Sequence, residues 1–465
     1  MNPRVFREYD LRGVADRDLD DELAADIGRG LAAAIGARAS RRPRPRVAVG
    51  RDCRLTSPRL FAALCRGLTE SVDVIDVGMV PSPLLYFAVA TLDVDGGAVI
   101  TGSHNPAEDN GFKLLVGGEA LHGDGIAGLR RWIEVRRARG EGAGPQVGAV
   151  TTHDLGPAYL EAVTSRLRLG PRRFKIVVDA GNGAGGPIAL AVYRALGFDV
   201  VPLHCEPDGR FPHHHPDPTV EENLADLRAA VAAHGAEVGL ALDGDGDRLG
   251  AIDGHGRILW GDQLMILLGR AVLEEVPGAA FVGEVKCSQA MYDELARAGG
   301  RPEMWKVGHS LIKARMKATG AALAGEMSGH LFFAHRWFGF DDATYAGARL
   351  LELLSRGEAT LAARAEALPV MVNTPELRLD CDDDAKRDVV ARVTAAMRAR
   401  PDVLEVIDID GVRARFADGW GLVRASNTQP ALVMRCEAVD AARLAAIRGL
   451  LEAAVAEARA EAVAS

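Results

Sequence analysis

VAVGRDCRLTSPRLFAALCRGL (47–68) decides the fold. VAVG (47–50) is a short apolar run of strand type, RDCRLTSP (51–58) is polar and broken by proline, and RLFAALCRGL (59–68) spaces its apolar residues as a helix does. A strand, a loop and a helix in that order open a βαβ unit. Working outward, VDVIDVG (72–78) and GGAVIT (96–101) are further strand-like runs. The same kind of opening returns at IVVDAG (176–181) and FVGEVK (281–286). Three such openings suggest related units built on mostly parallel sheets. RRARGEGAGPQVGAV (136–150) reads as a linker, and beyond Pro369 the pattern changes to strand candidates (LRLD, VLEVID, VRARF, GLVRAS, ALVMRCE) before a terminal helix from Asp440, an α+β arrangement.

The chain has 465 residues, more than one core normally serves. Its net charge of 55 − 64 = −9 argues against a general nucleic-acid binder. The basic tract RRPRPR (41–46) reads as a solvated loop. Six scattered cysteines without a Cys-x-x-Cys pair exclude a zinc ribbon and argue against a disulfide framework. MNPRVFREYDLRG lacks a signal peptide's apolar core, and no apolar run is long enough to span a bilayer, so a reducing cytoplasm is expected.

Four stretches carry chemistry. DGDGDR (243–248) follows the apolar VGLAL. On a flat strand its alternate carboxylates would stand about 6.5 Å apart. Gly244 and Gly246 let the backbone curl until Asp243, Asp245 and Asp247 face one centre. Such hard oxygen ligands select Mg²⁺ or a relative, and the other reading is an acidic turn without an ion. An EF-hand is excluded, because its sixth position would be Arg248 and its twelfth Gly254. TGSHNP (101–106) places Ser103 in a turn, as nucleophile, phosphate carrier or structural serine. GEMSGH (325–330) alternates Glu326, Ser328 and His330, groups suited to sugar hydroxyls or to a polar sheet edge. RASNTQP (424–430) offers Arg424, Ser426, Asn427 and Thr428 to a phosphate, or is a polar turn. GNGAGG (181–186) matches the dinucleotide fingerprint, but VVPLH (200–204) lacks its acidic partner, so a tight βα turn is the better reading.

In order and spacing these motifs resemble the α-D-phosphohexomutase superfamily over essentially the whole chain, most closely its bacterial phosphomannomutase/phosphoglucomutase branch. FREYDLRG (6–13) is similar to the family's N-terminal signature, and TGSHNPAEDNGFK (101–113) to its phosphoserine loop. The resemblance implies an α/β fold: three similar α/β domains with mixed, mostly parallel sheets, and a C-terminal α+β domain, around a central active-site cleft. The expected divisions are 1–150, 151–255, 256–368 and 369–465, each domain offering one loop. Ser103 would carry the phosphoryl group and, with Asp243, Asp245 and Asp247, hold Mg²⁺. Catalytic positions would be Ser103, His104, Lys113, Arg12, Arg248 and His330, with Lys113 and His330 as candidates for proton transfer. Substrate would meet Tyr9, Lys286, His309, Glu326, Ser328, Arg424, Ser426, Asn427 and Thr428.

The implied reaction moves phosphate between the 1- and 6-positions of glucose or mannose phosphates through a hexose 1,6-bisphosphate, which would also serve as activator. The implied state is a monomer or weak homodimer, with no nucleic-acid or membrane partner. Met327 stands where a phosphoglucosamine mutase typically has Gln. A non-catalytic sugar-phosphate sensor would need neither the serine nor the aspartates. A phosphatase hydrolysing the phosphoserine would release free phosphate. His213, His214 and His215 read as a structural turn.

Overall fold

The structure, a computed structural model, describes residues 1–38, 42–426 and 430–464. Its strands form four sheets. The first contains β1 (Leu11–Val14), β2 (Arg46–Arg51), β3 (Asp73–Met79), β4 (Gly96–Ile100), β5 (Asp109–Val116), β6 (Glu119–Ala120) and β7 (Val150–Thr152). The second contains β8 (Lys175–Asp179), β9 (Asp199–Leu203), β10 (Val238–Leu242), β11 (Leu249–Asp253) and β12 (Ile258–Leu259). The third contains β13 (Ala280–Glu284), β14 (Arg301–Trp305), β15 (Leu323–Gly325) and β16 (Leu331–Phe333). The fourth contains β17 (Val372–Asn373), β18 (Leu377–Asp380), β19 (Glu405–Ile407), β20 (Val412–Phe416), β21 (Gly419–Ala425) and β22 (Ala431–Ala438), all antiparallel.

The first three sheets repeat one topology. Neighbouring strands run β3-β2-β4-β5, β9-β8-β10-β11 and β14-β13-β15-β16. In each set the first three are parallel and the last pairs antiparallel through a hairpin. The helices Ser57–Leu68, Gly186–Ala195 and Gln289–Arg297 make the first crossover, and Ser82–Thr91, Ala225–His234 and His309–Thr319 the second. The central strands are buried on both faces because helices cover them, which is why VAVG and VGLAL are continuous apolar runs.

These three domains share a large core, and each also has a separate apolar cluster of its own. Phe87, Tyr159 and Trp337, one from each, meet with ring centroids 5.4–6.1 Å apart. The C-terminal domain has its own core, in which the helices Lys386–Arg398 and Ala441–Ala464 pack on the fourth sheet. It meets the third domain through a small apolar contact of Trp420 and Leu422 with Val285, and through two buried arginines. Arg413 donates to the carbonyls of Val285 (2.6 Å) and Cys287 (2.8 Å), and Arg435 to that of Lys286 (2.9 Å). Interfaces of this polar kind permit relative motion more readily than a shared core.

Candidate active site

Each of the first three domains sends the turn of its parallel-to-antiparallel hairpin into one place. These turns are residues 101–108 between β4 and β5, 243–248 between β10 and β11, and 326–330 between β15 and β16.

The serine turn is built on Arg54, whose side chain is fully buried beneath it. The guanidinium donates to the carbonyls of Ser103 (2.8 Å), Asn105 (2.6 Å) and Asp109 (2.8 Å), and also to that of Pro106. A Cβ at Gly102 would lie 2.5 Å from the Arg54 guanidinium carbon, so only glycine fits there. Ser103 itself is left-handed, with φ +50°, at a cost of about 1–2 kcal/mol for a residue with a Cβ. The bend aims its hydroxyl at the second turn, where Ser103 Oγ donates to Asp243 Oδ2 across 3.0 Å. A Cβ at Gly244 would stand 2.3 Å from the Ser103 carbonyl oxygen, so that glycine permits the two turns to touch.

Asp243, Asp245 and Asp247 are fully buried, with ligand oxygens within 4.8 Å of one another. Asp243 Oδ1 accepts from the backbone N–H groups of Asp247 (3.0 Å) and Arg248 (3.1 Å). Lys113 Nζ lies 2.6 Å from Asp245 Oδ2 and 2.6 Å from Asp247 Oδ2, and the Ser82 hydroxyl also donates to Asp245. Asp245 Oδ1 and Asp247 Oδ1 are buried and accept no hydrogen bond. Converging hard oxygens, two of them orphaned, fit a divalent cation. Burial and the neighbouring Asp247 and Asp245 push the Asp243 carboxyl well above its usual range. Burial pushes Asp245 the same way, but the Lys113 ammonium outweighs it and holds that carboxyl below its usual range. Burial opposes the charge on Lys113, yet Asp245 and Asp247 raise its pKa well above normal.

The third turn joins the second through an isolated bridge between Arg248 and His330. Arg248 Nε donates to His330 Nε2 across 3.0 Å. His330 Nδ1 stands 3.0 Å from Asp341 Oδ2 and 3.5 Å from Asp247 Oδ1. Asp247, His330 and Asp341 also form a compact acidic cluster. Cations already serve its carboxylates, because Lys313 pairs with Asp341 and Lys113 with Asp247. Glu326 Oε1 accepts from the Gly308 N–H (2.7 Å), and Ser328 Oγ donates to Glu326 Oε2 (3.3 Å). The His309 ring stacks on His330 with centroids 5.7 Å apart, and Tyr9 meets His309 edge-on. Tyr9 donates its hydroxyl to the Val307 carbonyl (2.7 Å), and Arg12 Nη1 donates to Asn105 Oδ1 (2.8 Å). His104 Nδ1 is 3.2 Å from Ser103 Oγ. Burial, then the guanidiniums of Arg248 and Arg12, hold the His104 pKa well below normal, so its ring is neutral.

Thus Ser103, His104, Lys113, Arg12, Arg248, His330, His309, Tyr9, Glu326, Ser328 and the three aspartates form one contact network. Lys286 stands beside it, 3.1 Å from Glu376 and 4.0 Å from Glu284, whose other contacts include the Met327 N–H. Arg424 is held by Asp410 (3.1 Å), which also accepts from the Val307 N–H (2.9 Å). Ser426 donates its N–H to the Ala431 carbonyl (2.9 Å). Asn427 and Thr428 lie outside the described residues. Arg54, Ser82, Lys313 and Asp341 were not singled out in the sequence; the run FDD (340–342) was the one local hint at Asp341. GNGAGG is a turn between β8 and the helix Gly186–Ala195, braced by His213 on Asn182 (2.7 Å) and His214 on Asp179 (3.0 Å).

Four family descriptions match the chain in order. They are phosphoglucomutase/phosphomannomutase alpha/beta/alpha domain I over residues 3–133, domain II over 157–256 and domain III over 260–371, and the C-terminal domain over 376–454. The chain therefore belongs to the phosphoglucomutase/phosphomannomutase family of the α-D-phosphohexomutase superfamily. It is 46% identical over 436 residues to a phosphomannomutase/phosphoglucomutase of Pseudomonas aeruginosa, covering 93% of this chain and 91% of that one. It is 44% identical over 452 residues to a phosphoglucomutase of Neisseria gonorrhoeae, covering 97% and 96%. The crystal structure of a family protein from Burkholderia thailandensis superposes with a TM-score of 0.91 at 42% identity, covering 99% of this chain and 98% of that one. The protein is accordingly an isomerase that carries out the phosphohexomutase reaction. Among the described residues no helix is long and apolar enough to cross a membrane.

Proposed function

We propose that Ser103 is the phosphoryl carrier in an interconversion of hexose 1- and 6-phosphates, with glucose and mannose phosphates as substrates. The observation that carries this reading is the Ser103 hydroxyl held 3.0 Å from Asp243 within a buried triplet of carboxylates. The three aspartates and Ser103 would hold Mg²⁺. When bound, that ion supplies positive charge to the oxygens of the transferring group. In the resting enzyme Ser103 bears the phosphoryl group. The hydroxyl of a bound hexose monophosphate attacks its phosphorus, the bond to Ser103 Oγ breaks, and a hexose 1,6-bisphosphate forms. The sugar then turns end for end, and Ser103 recovers the other phosphate.

The remaining roles follow from position. Lys113, on Asp247 Oδ2, and His330, 3.5 Å from Asp247 Oδ1, are assigned the proton transfers, with Arg12, His104 and Arg248 lining the transfer site. Glu326 and Ser328 grip the sugar hydroxyls, with Tyr9 and His309 beside them. Reading O3 and O4, which nearly exchange places in the flip, leaves C2 unread, so both glucose and mannose forms are accepted. Arg424, with Ser426, Asn427, Thr428 and Lys286, holds whichever phosphate is not reacting. On this reading the four domains (1–150, 151–255, 256–368 and 369–465, with β7 carrying the first sheet on to Thr152 and β12 the second to Leu259) each contribute one loop, hexose 1,6-bisphosphate is the activator, and the protein works in the cytoplasm as a monomer or weak homodimer. The test is a coupled assay with glucose 1-phosphate and mannose 1-phosphate, with and without glucose 1,6-bisphosphate. Turnover of both, stimulated by the bisphosphate, is expected; release of free phosphate in place of 6-phosphate would overturn the reading.

A further inference from the structure

The turn between β19 and β20 is fitted onto Arg424. Gly411 in that turn is left-handed (φ +86°), and a Cβ there would stand 2.5 Å from the Arg424 Cβ and 2.5 Å from the Val423 carbonyl oxygen. The turn therefore lies directly against the strand that carries the arginine. Its neighbour Asp410 takes the guanidinium side-on: Arg424 Nε donates to Asp410 Oδ2 across 3.2 Å, and Nη2 donates to Oδ1 across 3.3 Å. Among the described residues Asp410 is the one side chain that hydrogen-bonds to this buried guanidinium.

The same carboxylate reaches the third domain, because Oδ2 also accepts from the Val307 N–H across 2.9 Å. Ile409 and Val307 both pack on the apolar contact of Val285, Trp420 and Leu422, which seats Asp410 there. The Val307 carbonyl accepts from Tyr9 of the first domain, and the next N–H, that of Gly308, donates to Glu326. The support of Arg424 is thus anchored to the peptides that also hold Tyr9 and the sugar loop.

We propose that Asp410 is a positioning residue for the phosphate that is not reacting: it holds the Arg424 guanidinium side-on and, through Val307, fixes it relative to the sugar loop. The inference rests on the reading of Arg424 as a phosphate holder. An arginine side chain without this partner has to be ordered when phosphate binds, and that cost falls on affinity; Asp410 removes it in advance. The effect belongs in KM, because the reacting groups stand on the first three domains.

Asp410→Ala should raise KM for glucose 1-phosphate by about 2- to 13-fold and leave kcat little changed. Asp410→Asn keeps an acceptor for the Val307 N–H but loses the charge, so its KM should fall between. It carries the test should the alanine variant fail to fold, as judged by thermal melting. A double-mutant cycle distinguishes positioning from a general loosening of the C-terminal domain. In an Arg424→Ala background, Asp410→Ala should leave KM where Arg424→Ala alone puts it, since nothing remains to be positioned. A loosened domain would misplace Ser426 as well and raise KM further. A KM at or below that of wild type in the single variant, or additive effects in the double variant, would overturn the inference. Arg424→Ala separates the two layers. If its KM is that of wild type, the phosphate-holder reading itself fails. If its KM rises while that of Asp410→Ala does not, only the role of Asp410 fails.

Discussion

Replacing Lys113 by methionine should make the metal-free protein less stable and its response to a divalent cation larger. The ammonium bridges two fully buried carboxylates at 2.6 Å each, and among the described residues it is the one cation within salt-bridge distance of either Asp245 or the Oδ2 of Asp247. Methionine keeps most of the stem and removes the charge. Breaking a buried ion pair from one side costs about 3–5 kcal/mol, because the partner stays buried and uncompensated. The first three domains share a core and should unfold together as about 370 residues, with an unfolding entropy of roughly 0.8 kcal/mol/K, so the midpoint should fall by about 4–6 °C. A divalent cation supplies the missing positive charge, so Mg²⁺ should raise the variant's midpoint by more than it raises that of the wild type. Calorimetry in chelator and in Mg²⁺ measures both. Turnover should meanwhile fall at least about 100-fold, since an acid–base group is lost. A chelated variant that melts within about 1 °C of wild type, or gains no more from Mg²⁺, would refute the placement of the cation among these aspartates.

Other outcomes follow from the same contacts. Ser103→Ala should abolish turnover while the fold survives, and intact-mass measurement of the wild type should find a phosphate adduct within residues 101–106. Arg424→Ala should raise KM for both sugar phosphates by about 10- to 150-fold, one charge-assisted contact being worth roughly 1.5–3 kcal/mol; steady-state kinetics with an unchanged KM would place the non-reacting phosphate elsewhere. Burial raises the Asp342 carboxyl to about 7 although it accepts from Tyr159 and the Tyr345 N–H. The folded state thus prefers this group protonated, and its contribution is complete below about pH 4 and lost as pH rises through about 7. Denaturant titrations should therefore show wild type losing on the order of 4 kcal/mol relative to Asp342→Asn over that interval, and parallel profiles would count against it.

The chemistry was legible where it is contiguous. DGDGDR, TGSHNP and GEMSGH each carry their groups and the glycines that bend the chain within a few residues, so type and spacing could be read together. What supports them was not legible, because it comes from afar. Ser82 meets Asp245 across 163 positions, and Lys113 meets it across 132. Arg54 stood in a stretch read only as a loop, and nothing local marks it as the anchor of four carbonyls some fifty residues on. The βαβ alternation was plain in the apolar runs. That the active turns close hairpins, and do not open helices, was hidden, because β5, β11 and β16 carry no local sign of their direction.

The shared seat of those three turns has a consequence for how such an enzyme can change. In each domain the three parallel strands precede the antiparallel strand of the hairpin in the chain, so the hairpin turn lies outside the parallel layer. A turn there can lengthen, shorten or exchange its side chains without shifting the register of the inner strands. One architecture, copied three times, therefore presents three turns around a single substrate, each seated on its own sheet, and the contacts of Ser103 with Asp243 and of Arg248 with His330 oblige a change in one turn to be matched in its neighbour.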